Sequence, residues 1–337
     1  MENLVKQSVQ SLSDQRVLVT GGTGVIGSWL VDALEKQNVD TYKLIWDQDP
    51  LRNTPQNHIT SNATEIHGTL TDINILSKAI NEHKITVVFH LGAQAIVETA
   101  FLDPLQTFET NIRGTYNLLE ACRVSKSDLK SIVIASSDKA YGTHNTLPYE
   151  EDFGLRGIYP YEVSKSCTDL IARSYAISYN LPISIARCGN VYGGGDLNWN
   201  RLIPGTIRDL INNRNPVIRS DGSFLRDYIY VKDIVNAYIS LALNTMAGTK
   251  YGEAFNFGNN NPISVLDLVN TIINIMDKTH LKPHIQNVAQ GEIHSQYLNS
   301  EKAKRILNWD PVYSLTEGLT ETINWYSNII TSSHEHQ

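Results

Sequence analysis

The stretch RVLVTGGTGVIG, residues 16–27, carries the most information about the fold of the first half of the chain. Its apolar, β-branched start predicts a short buried strand, and the segment 26–37 has the pattern of an amphipathic helix. Glycines between them permit a tight turn and let the backbone approach a pyrophosphate at the positive end of the helix. The alternative is a glycine-rich turn without a ligand. The G-x-x-G-x-x-G spacing favours a dinucleotide site formed by Gly21, Thr23, Gly24, Val25, Ile26 and Gly27.

The same strand–helix rhythm continues through the first half of the chain. Short apolar runs at 41–46, 85–91, 131–137 and 182–188 predict further strands, separated by helical patterns such as 110–125. Strands that alternate with helices form a parallel sheet covered on both faces. We therefore expect an α/β fold with a Rossmann-type, doubly wound parallel sheet.

The alternation of predicted strands and helices ends after Cys188, which suggests a second structural unit. Glycines and prolines between 189 and 221 indicate loops around a helix, and the strand–helix pattern resumes only briefly at 226–243. We predict an NAD-binding domain over 1–188 plus about 222–252. The remaining parts, about 189–221 and 253–337, are predicted to form a smaller substrate-binding lobe, with the site in the cleft between the two.

Composition narrows the classes of partner. Lys and Arg total 28 against 35 Asp and Glu in 337 residues, a net charge of -7 that argues against nucleic acid as the main ligand. Three scattered cysteines suit a reducing compartment. The polar start and the lack of a long apolar run lead us to expect a cytoplasmic protein that does not use a membrane. The histidines lack metal-ligand spacing, so we expect no metal.

A carboxylate at the end of the second strand bears on the choice of cofactor. Asp47 lies twenty residues beyond Gly27, where it can accept hydrogen bonds from ribose hydroxyls and would repel a 2′-phosphate. This favours NAD over NADP. The alternative is that Asp47 or Asp49 only begins a turn, and Arg52 lies nearby in sequence.

Three polar residues in the middle of the chain form a candidate catalytic group. Tyr161 and Lys165 are four apart on a predicted helix and so share one face. A nearby ammonium lowers a phenol pKa, which would make Tyr161 a base near neutral pH. Such a pair also occurs by chance on solvated helices, but Ser137 ends a predicted strand, where open α/β sheets place their ligands.

The chain resembles the extended short-chain dehydrogenases/reductases over about residues 15–325. The resemblance is carried, in order, by VTGGTGVIG, VVFHLGAQ, NIRGT, SSDKAYG, YEVSK, RCGNVYGGGDLN, RDYIYVKD and AFNFG. It implies that Ser137, Tyr161 and Lys165 are the hydride-transfer triad, with Lys165 also on the nicotinamide ribose. It further implies cofactor contacts by Leu70, Leu91 and Ala93, and a homodimer that pairs the helices containing NIRGTYNLLEACR and YEVSKSCTDLIARSYAI. The alternative is that the apolar faces of these helices belong to the core of the monomer.

The chain departs from that family in one stretch. Relatives carry Gly-Asp-x-x-Asp after the third strand, where this chain has Gly68-Thr69-Leu70-Thr71-Asp72. The adenine contact that relatives make through the first Asp is therefore in doubt. His90-Leu91-Gly92-Ala93, in place of His-Leu-Ala-Ala, preserves close backbone approach to the cofactor.

The pair Asp138-Lys139 after the triad Ser resembles the sugar-nucleotide 4,6-dehydratase branch, closest to CDP-glucose 4,6-dehydratase-like proteins. The resemblance implies that Lys139 is the base at C5 of the hexose and Asp138 the acid at the 6-hydroxyl. The alternative is a structural ion pair. Two other functions compete: a nucleotide-sugar 4-epimerase, which needs only the triad, and a non-catalytic NAD-binding scaffold or sensor.

Contacts to the nucleotide-sugar substrate follow from the same resemblance. Asn190 and Arg226 would bind the diphosphate, and Arg201 and Arg219 are further candidates, because a guanidinium bonds phosphate oxygens in pairs. Gln94 would touch the hexose or, alternatively, cap the strand end.

Overall fold

The computed structural model describes residues 9–47, 61–248, 250–288 and 293–334. Its centre is a seven-stranded sheet with the order β11-β6-β5-β4-β1-β2-β3, in which every neighbouring pair is parallel. The predicted Rossmann-type α/β fold is confirmed. The strands are β1 (Arg16–Thr20), β2 (Asp40–Ile45), β3 (Thr64–His67), β4 (Val87–His90), β5 (Ser131–Ala135), β6 (Ile183–Cys188) and β11 (Glu253–Phe257).

Helices cover both faces of this sheet because successive strand residues point to opposite sides. In β1, Val17 and Val19 enter one core and Leu18 the other, and all three are fully buried. One face is covered by α1 (Val25–Glu35) and α8 (Val231–Met246). The other is covered by α2 (Ile73–Glu82), α5 (Gly114–Val124) and α6 (Pro160–Tyr179).

A third core belongs to the smaller lobe. It is built on α7 (Leu202–Ile211), α9 (Val265–Ile275) and α11 (Leu315–His334). Short strands complete the lobe: β7 (Asn190–Tyr192), β8 (Val217–Ile218), β9 (Leu225–Arg226), β10 (Tyr228–Tyr230), β12 (Ile263–Ser264), β13 (His284–Ile285) and β14 (Ser295–Gln296). The remaining helices are α3 (Val97–Leu102), α4 (Pro104–Phe108) and α10 (Glu301–Leu307), with a π-helical turn at Glu109–Arg113 and a 3-10 turn at Asp138–Tyr141.

The structure corrects the predicted domain boundary at two strands. Residues 253–257, assigned to the lobe by sequence, form β11 and pair with β6 at the edge of the main sheet. Phe255 and Phe257 are buried in the same core as α8, which explains the placement. Conversely, β9, inside the segment predicted for the main domain, pairs with β12 and β14 of the lobe.

Among the described residues, no helix combines the length and the apolar character needed to cross a membrane.

Candidate active site

The glycine turn has the geometry that a dinucleotide pyrophosphate requires. A Cβ on Gly27 would lie 2.1 Å from the carbonyl oxygen of Gly21, and one on Gly21 would lie 2.7 Å from the nitrogen of Gly92. The backbone is therefore packed so closely at Gly21 and Gly27 that neither position has room for a side chain. Within the described part of the chain, no side chain caps α1 at Gly24 and its first turn holds no acid. The positive helix end fits an anionic cofactor group.

Asp47 lies at the carboxyl end of β2, as the sequence predicts for a ribose contact. Its Oδ1 is 2.7 Å from Nδ1 of His67, and both side chains are about half exposed. Sequence reasoning missed His67, which ends the neighbouring strand β3 and is brought there only by strand pairing. Asp49 and Arg52 lie outside the described residues.

Leu70, Leu91 and Ala93 line the same end of the sheet. Leu70 is buried, and its side chain lies so close to Gly92 and Gly114 that a Cβ on either would meet it within 3 Å. Asp72 ends the stretch that departs from the family pattern. It caps α2 by accepting a hydrogen bond of 2.9 Å from the Asn74 nitrogen. This carboxylate therefore stabilises a helix start.

A buried hydrogen-bond chain fixes the end of β4. Thr20 Oγ1 accepts from the Gly92 nitrogen at 3.0 Å and lies 2.8 Å from His90 Nδ1, while His90 Nε2 lies 3.1 Å from Thr115 Oγ1. Burial lowers the pKa of His90 to about 3, and the charge of Lys165 acts in the same direction. The imidazole is therefore neutral. It joins β1, β4 and α5 beneath the cofactor turn.

The triad residues predicted from sequence meet at the carboxyl end of β5. Ser137, Tyr161 and Lys165 are all buried, and Lys165 Nζ donates to the Ala135 carbonyl at 2.9 Å. Burial lowers the pKa of Lys165 to about 8.

The predicted lowering of the Tyr161 pKa is wrong. Burial raises the pKa of Tyr161 to about 12, and the opposing effects come from the charge of Arg201 and a hydrogen bond with Ser137. Sharing a helix face is not enough, because the Lys165 amine is directed to a main-chain carbonyl and desolvation of the phenol dominates.

Asn111, for which the sequence predicts no role, links α6 to the loop after β4 by hydrogen bonds. Its amide donates to Ser164 Oγ and to the Gln94 carbonyl, each at 2.9 Å, and its Oδ1 accepts from the Gln94 nitrogen at 2.7 Å. It lies in the π-helical turn before α5. Such turns are frequent at functional sites, but their register cannot be read from hydrophobic periodicity.

The acid–base pair occupies the 3-10 turn that follows β5. Ser137 Oγ donates to Asp138 Oδ1 at 3.0 Å and accepts from the Lys139 nitrogen at 3.2 Å, which caps the turn. Asp138 is 2% exposed, and burial raises its pKa against the opposing charges of Lys139 and Arg226. Its Oδ2 has no hydrogen-bond partner among the described residues. Lys139 Nζ donates to Oε1 of Gln296, so the two side chains have separate partners.

The predicted substrate residues fall into two groups. Arg226 and Arg201 lie close enough to act electrostatically on Asp138 and Tyr161 respectively, and Arg226 is buried. Asn190 begins β7, and its buried Nδ2 has no partner among the described residues. Arg226 also donates to the Leu225 and His294 carbonyls, and Arg201 forms an ion pair with Asp196 at 2.9 Å, so substrate contact by these residues stays a prediction.

Arg219 and Gln94 are engaged by the protein itself. Arg219 is half exposed and lies 3.7 Å from Glu98. The Gln94 amide donates to the Ile96 carbonyl and to Thr107 Oγ1, both at 3.0 Å, while its oxygen accepts from the Ile96 nitrogen. These bonds favour the strand-end cap over the hexose contact for Gln94.

Comparisons with known proteins agree with this geometry. The family model described as GDP-mannose 4,6 dehydratase matches residues 18–322. A putative UDP-glucose 4-epimerase of Methanocaldococcus jannaschii is 33% identical, with 93% of this chain and 98% of the relative covered. The CDP-glucose 4,6-dehydratase of Salmonella typhimurium is 31% identical, with 93% and 90% covered.

A solved structure extends the likeness to three dimensions. The dTDP-glucose 4,6-dehydratase of Bacillus anthracis, in complex with NAD, is 26% identical with a TM-score of 0.78, and 93% of this chain and 97% of that one are covered. Both the resemblance read from the motifs and the fold are thereby confirmed. The chain belongs to the GDP-mannose 4,6 dehydratase family, in the dehydratase branch of the extended short-chain dehydrogenases/reductases.

Proposed function

We propose that the protein converts a nucleotide-diphosphate hexose into its 4-keto-6-deoxy derivative with loss of water, using NAD as cofactor. The observation that carries the proposal is the side chain of Asp138. It is a buried carboxyl with a raised pKa and an unpartnered oxygen, beside a lysine and next to the triad serine. An oxidation at C4 alone has no use for such an acid.

The triad handles the proton at the 4-hydroxyl. The glycine turn at Gly21, Gly24 and Gly27 would hold NAD+, which would supply the hydride-transfer chemistry between C4 and C6. Tyr161 removes the hydroxyl proton, and the positive charge of Arg201 together with the hydrogen bond between the phenol and Ser137 favours the phenolate form against burial. Lys165 Nζ is fixed by its hydrogen bond to the Ala135 carbonyl at the end of β5.

The acid–base pair carries out the elimination. The 4-ketone acidifies the C5 proton, which Lys139 removes as its C–H bond breaks and the C5–C6 double bond forms. Asp138 gives its proton to the departing 6-hydroxyl, which leaves as water. When the hydride is added at C6, Lys139 returns a proton, by then exchanged with solvent, to C5. Burial raises the pKa of Asp138, which is the direction that a general acid needs.

Residues of the cleft bind the diphosphate. Arg226 and Asn190 are buried or partly buried, and Arg201 lies near the triad, so an anion can be held without a basic surface. CDP-glucose is the first substrate to test, because Asp-Lys in SSDKAYG resembles the CDP-glucose enzymes and one of those is 31% identical.

A nucleotide-sugar 4-epimerase is the second candidate, favoured by the 33% identity to a putative UDP-glucose 4-epimerase. An epimerase would use Ser137, Tyr161 and Lys165 and would tolerate replacement of Asp138 or Lys139. A non-catalytic scaffold is disfavoured, because a sensor does not need a buried, assembled triad.

The deciding experiment supplies NAD+ and, separately, CDP-, dTDP-, GDP- and UDP-hexoses in deuterated water. Mass spectrometry and proton NMR then follow the sugar. Loss of one water with deuterium at C5 of a 4-keto-6-deoxy product supports the dehydratase and identifies its substrate. An unchanged mass with inverted C4 contradicts it in favour of the epimerase.

A further inference from the structure

Residues of the smaller lobe face the acid–base pair across the cleft. β14 pairs in parallel with β9, and Gln296 lies opposite Arg226 in that register. The charge of Arg226 acts on Asp138, and the side-chain oxygen of Gln296 accepts a hydrogen bond from Lys139 Nζ. Arg226 and Gln296, which are paired in the lobe sheet, therefore interact with two consecutive residues of the 3-10 turn.

The environment of Gln296 is unusual for an amide. The residue is fully buried, and its Nε2 has no hydrogen-bond partner among the described residues. Burying an unsatisfied amide N–H group costs about 1–3 kcal/mol of folding free energy. An apolar residue would therefore be more stable at position 296 if that position only filled space. The oxygen of this amide is directed to the candidate C5 base. The orientation is determined chemically, because only the oxygen can accept from an ammonium group.

We propose that Gln296 is a positioning residue that holds the Lys139 amine in place for removal of the C5 proton. This inference rests on the proposed dehydratase function. A lysine side chain has four rotatable bonds and must be ordered before it can act as a base. A displacement of about 1 Å at a reacting group can cost about 100-fold in rate.

The choice of a neutral amide matters as well as its position. A carboxylate at position 296 would make the same hydrogen bond but would stabilise the ammonium form and suppress the free base. Titratable groups of both lobes already act through their charges on Asp138, the neighbour of Lys139: Lys139 itself, Tyr149, Tyr161, Cys188, Arg226 and Asp227. They are unchanged in a variant of Gln296, so a shifted pH profile reports on position 296.

The first test is Gln296→Leu in the full chain, with Ser295→Ala as the matched control in the same strand. Ser295 bonds to His294 rather than to Lys139. We expect kcat of the leucine variant to fall by about 10- to 100-fold with little change in KM, and the control to match the wild type. The isotope effect on kcat with substrate deuterated at C5 should rise, while that with substrate deuterated at C4 should fall toward one.

A purely structural role would slow oxidation and elimination together and leave the ratio of the two isotope effects unchanged, which would overturn the inference. The second variant, Gln296→Glu, keeps the size and the hydrogen bond and covers the case in which leucine fails to fold. Its elimination rate should be low near neutral pH and recover at higher pH, with the midpoint raised by about one unit or more. An unshifted midpoint would contradict the proposal.

The outcomes separate this inference from the proposed function. If the wild-type protein forms no 4-keto-6-deoxy product from any of the four nucleotide classes, both are overturned. If the wild type forms that product and Gln296→Leu retains its rate and isotope effects, only the role of Gln296 is overturned.

Discussion

At the residue scale, burial rather than proximity sets the chemistry of the site. Tyr161, Lys165 and Asp138 all have pKa values shifted toward their neutral forms, and desolvation is the largest cause for each. Sequence spacing identifies which residues meet. It does not reveal how completely water is excluded, because burial depends on both lobes.

Asp138→Asn tests the acid directly. The amide keeps the size of the side chain but has no carboxyl proton to give to the departing hydroxyl. We expect dehydration to fall by about 100- to 10,000-fold while C4 oxidation, followed by absorbance of the reduced cofactor, continues. Asp152→Asn, at an exposed carboxylate, is the control and should behave as wild type. Equal loss of both steps would contradict the assignment.

His90 should make stability depend on pH. Its pKa in the folded protein is about 3, below the ordinary value of 6.5, so between these values the unfolded chain binds the proton and the folded one does not. The free energy of unfolding should therefore drop by about 1.4 kcal/mol per pH unit as pH falls below about 6. Urea unfolding of His90→Gln should lack this component of the slope. An unchanged slope would show that another group is responsible, and His280→Gln, at an exposed histidine, is the control.

At the element scale, the first turn of α1 has no room for a side chain at Gly27. A Cβ at Gly27 would lie 2.1 Å from the Gly21 oxygen, whereas one at Gly154 would have its nearest neighbour 3.9 Å away. We expect Gly27→Ala to lower the free energy of unfolding by about 1–3 kcal/mol and to weaken NAD binding more than tenfold. Gly154→Ala should change neither, as measured by urea unfolding and calorimetric titration. Full NAD affinity in Gly27→Ala would contradict the assigned site.

At the scale of the whole molecule, we propose a homodimer, with α5 and α6 forming its interface. Val124, Leu170 and Ile177 on these helices are each more than half exposed, an apolar surface that a second copy would cover. Light scattering after size exclusion should show a dimer, and Leu170→Glu should convert it to a monomer. Ile306→Glu, on α10, is the control. A monomeric wild type would refute the proposal.

The amino-acid sequence alone predicts the parallel sheet, the glycine turn and the candidate residues of the triad and acid–base pair. These are local patterns, since strand periodicity, turn glycines and i,i+4 spacing each need only a few consecutive residues. It also placed Asp47 at a strand end, because strand length and turn position are local as well.

The distant residues that complete the site are identified only by the folded chain. β11 joins the main sheet beside β6 although the chain visits the lobe between them. His67 reaches Asp47 through strand pairing, and Gln296 reaches Lys139 from 157 positions away. The raised pKa of Tyr161 has the same origin. Contacts between remote segments and the exclusion of water both arise when the lobes pack together, and a local pattern contains neither.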